Sequence, residues 1–72
     1  MATYAIGDRV RSTVELTSMP GFPPEDAIPA GSLGTVDYVH EKYREGYGVI
    51  FDCDRYRLSA WMNPEDLEAA PE

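Results

Sequence analysis

The sequence predicts a small all-β barrel. Short stretches alternate apolar and polar residues with a period of two. Glycine and proline interrupt the chain at short intervals, and no stretch of about ten residues carries a helical apolar period. Within 72 residues, that pattern fits five short strands curled around one core, because closing the sheet removes exposed edges. A chain of this size buries only about 60% of the surface its unfolded form exposes. The expectation is one domain over residues 1–72, with 1–5 and 70–72 as loose termini, and little room for an internal active site.

The first strand follows a turn at Gly7-Asp8. Val10, Ser12, Val14 and Leu16 fall on one parity and Arg9, Arg11, Thr13 and Glu15 on the other, as in a half-buried strand reaching Leu16. Residues 17–30 then hold four of the six prolines. Proline donates no ladder hydrogen bond, so this segment is expected to be a long loop without regular structure. Of its apolar members Met19, Phe22 and Ile28, one or two are expected to fold back over the core, leaving the remainder for contact.

Gly31 and Gly34 make a tight corner into strand two, Leu33 to His40. Here parity is broken, with Val36 and Tyr38 on one face and Leu33 and Val39 on the other; a bulge or a hard bend accounts for it. The polar run Glu41 to Gly46 reads as a hairpin connection. In strand three, Tyr47 to Asp52, Val49 and Phe51 point inward. After a turn at Cys53-Asp54-Arg55, strand four places Tyr56, Leu58, Ala60 and Met62 on one side and Arg57, Ser59 and Trp61 on the other. Asn63-Pro64-Glu65-Asp66 pairs a favoured cap with a first-turn proline and acids, which predicts a single helical turn lowering Leu67 into the core. Glu68-Ala69-Ala70 closes the sheet.

Thirteen acidic against six basic residues give a net charge of −7. That balance repels phosphate at long range and argues against nucleic acid and anionic membranes as partners. The start of the chain lacks the pattern of a signal peptide, and no apolar run approaches the roughly 20 residues of a membrane span. The single cysteine, Cys53, permits no internal disulfide. A cytoplasmic protein is expected.

The order Gly7-Asp8-Arg9-Val10-Arg11, Ala30-Gly31-Ser32-Leu33-Gly34-Thr35-Val36, Gly48-Val49-Ile50-Phe51-Asp52 and Asn63-Pro64-Glu65-Asp66-Leu67-Glu68 resembles the small SH3-like barrels. The similar branch is the KOW-like and nitrile-hydratase-β-like one, and the resemblance spans nearly the whole chain. It implies a five-stranded SH3-like barrel with a long proline-rich loop after strand one and a helical turn before the last strand. In nitrile hydratase β-subunits the loop carries a His-Thr-Arg element. Here the matching Met19-Pro20-Gly21-Phe22-Pro23-Pro24 has neither histidine nor arginine, so the family's contribution to a metal centre does not carry over. KOW domains often bind RNA or ribosomal and transcription proteins, usually through basic surfaces. SH3 domains that hold PxxP ligands use aromatics and an acidic loop; Glu25 and Asp26 lie in a comparable loop, but the Ala-Leu-Tyr-Asp-Tyr and paired-tryptophan motifs are absent.

No residue set points to catalysis. His40, the sole histidine, has no oriented acid or nucleophile beside it and reads as a surface residue. Cys53 lies between Asp52 and Asp54, which disfavours a thiolate. Those two aspartates fall short of a cation's ligand count and read as turn residues. No cofactor is expected. The aromatics carry the functional expectation: a non-catalytic protein-interaction module whose contact surface joins the proline loop (Met19, Phe22) to an adjacent face of Tyr43, Tyr47 and Trp61, the partner being another protein. Whether Trp61 is exposed or caps the barrel beneath the loop stays open at this level. The alternatives are a KOW-like nucleic-acid domain using Arg9, Arg11, Arg55 and Arg57, or an accessory subunit of a larger, nitrile-hydratase-like enzyme.

Overall fold

A computed structural model describes residues 3–17, 21 and 23–70. Five strands, β1 (Arg9–Ser12), β2 (Leu33–His40), β3 (Gly46–Phe51), β4 (Ser59–Met62) and β5 (Leu67–Ala69), form one antiparallel sheet in the order β4-β3-β2-β1-β5. Val10, Val36, Tyr47, Val49, Phe51, Met62 and Leu67, drawn from all five strands, form one buried cluster with Ile28. A flat sheet cannot bring its two edge strands to one cluster, so the sheet wraps around its core in a barrel-like fold. Burying each of the larger side chains contributes about 1.5–3 kcal/mol.

The expected bulge is present. Val36 pairs with Val49 and Tyr38 with Gly48, leaving Asp37 as an extra residue in β2. Val36 therefore faces the core, while Tyr38 is half exposed and Val39 packs inward. Tyr38 does not share a face with Val36. The bulge bends and twists β2 where it passes from pairing with both β1 and β3 to pairing with β3 alone.

Two strands are shorter than their alternation indicates, and each stops where side chains capture backbone donors. β1 ends at Ser12, whose hydroxyl donates to the Val14 carbonyl (2.5 Å) and accepts from the Val14 N–H. The Thr13 N–H turns to the Asp66 carbonyl. Val14 is consequently exposed, and Leu16 meets only Ile28 in an isolated bridge. β4 starts at Ser59, because the Asp54 carboxylate accepts from the N–H groups of Tyr56 (2.9 Å) and Leu58 (3.1 Å). Arg57 adopts a left-handed φ of 53°. This is an aspartate-centred turn, not strand, and it leaves Tyr56 and Leu58 exposed.

The loop after β1 is less irregular than its prolines imply. It narrows at the Leu16–Ile28 bridge, contains a 3₁₀ turn at Pro24–Asp26, and seats Ile28 on the core. Of the two corner glycines, only Gly31 turns the chain, with φ 89°. Gly34 lies inside β2, where an added Cβ would come within 2.7 Å of Val49 Cγ1. A second 3₁₀ turn at Pro64–Asp66 delivers Leu67 to the core, as expected. Asn63 makes no side-chain cap hydrogen bond.

Candidate functional site

Alternation in β3 sorts its residues cleanly. Tyr47, Val49 and Phe51 point into the core, so Gly46, Gly48 and Ile50 face outward. Across the outer face, Tyr38 is in register with Gly48 and Gly48 with Trp61, while His40 pairs with Gly46. The two glycines create a floor without side chains. Trp61 fills it: an added Cβ at Gly46 would collide with the indole ring. The indole is nevertheless 45% exposed and stands outside the core cluster. It lies on the outer wall and does not cap the barrel.

The other aromatics gather on this platform. The His40 ring lies edge-on to Trp61, with centroids 5.7 Å apart, and 6.3 Å from both Tyr38 and Tyr43. His40 Nδ1 lies 3.3 Å from the Arg44 carbonyl. Tyr43 is 83% exposed at the tip of the β2–β3 connection. Arg44 places its guanidinium 5.8 Å from the Trp61 ring centroid, and Lys42 its ammonium 5.4 Å from that of Tyr43. Cations over aromatic faces are attracted by the ring quadrupole, and their N–H groups stay free at the edges.

Of the residues expected at a contact surface, Trp61 and Tyr43 are thus brought together, with His40 between them. Tyr47 is not part of this face. It is fully buried, and its hydroxyl is saturated: it donates to Glu45 and accepts from the N–H groups of Thr3 (2.7 Å) and Tyr4 (3.2 Å). Tyr4 packs edge-on against it at 5.2 Å. The hydrogen bonds from Tyr47 and the Thr3 amide hold the Glu45 carboxyl below its ordinary range, while burial raises the Tyr4 hydroxyl. Met19 and Phe22 lie outside the described residues. The described part of the proline loop is tied, through Asp26 to Arg55 (3.2 Å), to the turn that follows β3. The aromatic platform sits at the start of that strand, so the described part of the loop and the platform lie at opposite ends of β3.

The remaining candidates are engaged elsewhere. Arg9 binds Asp52 (2.5 Å), raising its own pKa and lowering that of the carboxyl. Arg11 binds Glu68 (2.6 Å), and Arg57 lies near Asp52. A cleft of about 300 Å³ lined by Glu25, Asp26, Ala27, Pro29, Cys53, Asp54 and Arg55 has two of its three acids committed, Asp26 to Arg55 and Asp54 to backbone. Cys53 is exposed, its thiol 3.6 Å from the Ser32 hydroxyl. Among the described residues no group of three or more His, Cys, Asp or Glu is placed to hold a metal ion. No helix among them is long and apolar enough to cross a membrane.

Tyr38, His40, Lys42, Arg44 and Gly46 were absent from the expected surface. The signal for them lay in β3: Gly46 and Gly48 share the parity opposite Tyr47 and Val49, which marks a face where neighbours lean inward. Comparison of the chain with protein-family models, with curated proteins and with solved structures gives no match.

Proposed function

We propose that this chain is a non-catalytic protein-interaction module built on a small SH3-like barrel, working in the cytoplasm, with the outer face of β2, β3 and β4 as its contact surface. One observation carries the reading. Exposed Tyr38 and Trp61, with His40, stand on strands whose opposite face is anchored in the core, and Tyr43 and two cations join them from the β2–β3 connection in a platform around the sole tryptophan. Tryptophan, tyrosine and arginine dominate interface energetics because they bury large area at low entropic cost. Rigid strands position them better than a loop does.

The test compares the chain with its Trp61→Ala variant. Partners retained from a lysate by the immobilised chain should be lost by the variant. Their addition to the labelled chain should shift amide resonances at Tyr38, His40, Tyr43 and Trp61. Partners that bind both proteins equally and leave those resonances in place would refute the surface assignment.

A further inference from the structure

The six basic side chains divide into two groups. Arg9, Arg11 and Arg55 face carboxylates of their own chain, and Arg57 lies near Asp52. Lys42 and Arg44 lie over aromatic rings, as Arg55 also does over Tyr56, but have no carboxylate partner among the described residues. Among the described residues, no side chain of the protein accepts a hydrogen bond from Lys42, Arg44, the Tyr38 and Tyr43 hydroxyls or the Trp61 indole N–H. The platform is therefore a concentration of donors around apolar rings. Glu41 shares the β2–β3 connection, but Glu45 is turned away to Tyr47 and the Thr3 amide. On a chain of net charge −7, Lys42 and Arg44 are left without a carboxylate partner among the described residues, although exposed Asp37 and Glu41 lie nearby in sequence.

Strand order adds a second feature. β4, which carries Trp61, is an edge strand, and among the described residues the side of it away from β3 has no backbone hydrogen-bond partner. Such an edge offers alternating N–H and C=O groups, which suit another peptide backbone.

Resting on the interaction-module reading above, we infer that the occupant is an extended acidic peptide segment of another protein. Its main chain adds along the free edge of β4, its apolar side chains lie on Trp61 and Tyr43, and its carboxylates meet Arg44 and Lys42. The guanidinium stacked on the indole keeps its N–H edge pre-oriented for a carboxylate. A single-stranded nucleic acid fits the rings but has no repeating main-chain N–H and C=O groups at strand spacing for the edge of β4.

The test selects binders from a random short-peptide library on the immobilised full chain. The selected peptides and oligothymidylate are then titrated against it, with Trp61 emission as the readout. The expected result is enrichment of Asp and Glu beside apolar residues and a change in Trp61 emission. Affinity should fall on the order of tenfold in Arg44→Gln and in Lys42→Gln and weaken with salt. Both positions are exposed on a hairpin connection, and an unchanged amide spectrum verifies that each variant is folded. Neutral or basic peptides that move Trp61 equally well would overturn the acidic preference and leave the module reading standing. Oligothymidylate that binds more tightly than any peptide, self-association of the chain in its place, or a library yielding nothing that perturbs Trp61 would overturn both.

Discussion

The molecule holds two aromatic clusters at the same end of β3, one on each side of the strand, and they are built on opposite principles. Inside, Tyr4 and Tyr47 meet edge-on and every bond of the Tyr47 hydroxyl is supplied by Glu45, Thr3 and Tyr4. Outside, Tyr38, His40, Tyr43 and Trp61 touch ring to ring while the polar ends of the three larger ones remain open. The inner cluster is saturated and joins the chain's start to the barrel. The outer one is stacked but chemically incomplete. Aromatic content therefore does not separate the two clusters; satisfaction of the polar ends does.

That contrast is broken most severely from inside. Tyr47→Ala should cost about 3–5 kcal/mol through lost burial and the cavity left behind, a large part of the stability of a domain this small. Tyr47→Phe should cost about 1–3 kcal/mol, since it removes the hydroxyl's bonds and leaves the Tyr4 N–H without its acceptor, while the Thr3 N–H keeps Glu45. Chemical denaturation of the two variants measures both. If Tyr47→Phe were neutral, the saturated hydroxyl would not distinguish the clusters.

Gly46→Val attacks the outer cluster at its floor. The new side chain must displace the indole, at about 1–3 kcal/mol of strain, and should move Trp61 emission toward the red and disperse the ring-shifted resonances of His40. Unaltered emission would show that Trp61 does not rest on Gly46.

The smallest effect is pH-dependent and confined to the inner cluster. The Tyr47 hydroxyl and the Thr3 amide depress the Glu45 pKa below its ordinary 4.5, so the unfolded chain takes up the proton more readily than the folded one. The contribution of Glu45 is thus complete above pH 4.5 and lost as pH falls through the folded value. Amide exchange at Thr3 and Tyr4 should accelerate in that window, before Trp61 emission changes, and Glu45→Gln should remove the pH dependence. Simultaneous loss at both clusters would mean they are one cooperative unit.

The all-β class, the placement of β2 and β3, and the turn that seats Leu67 were legible because apolar period and turn chemistry agree there. What alternation overstated was strand length. Val14 and Tyr56 continue the pattern, but Ser12 and Asp54 carry side chains that compete for backbone N–H groups, and periodicity does not register that competition. At the candidate site, Trp61 and Tyr43 were legible as aromatics on polar stretches. Tyr47 was misplaced outward although it shares the parity of Val49 and Phe51, because tyrosine suits both environments and the N–H groups its hydroxyl accepts from lie more than forty residues away. His40 was read as isolated because two of its ring neighbours, Trp61 and Tyr43, come from β4 and the β2–β3 connection, and only Tyr38 shares its strand.

Asp37 separates shape from content in β2. Omit it, and Gly34, Val36 and Val39 would still point inward while Thr35, Tyr38 and His40 pointed out, with the same partners across β3. The residue therefore chooses no contact; it sets curvature. Chemistry and form on the outer aromatic platform are written at different positions: rings and cations set the groups it presents, and one surplus aspartate sets how far it arches.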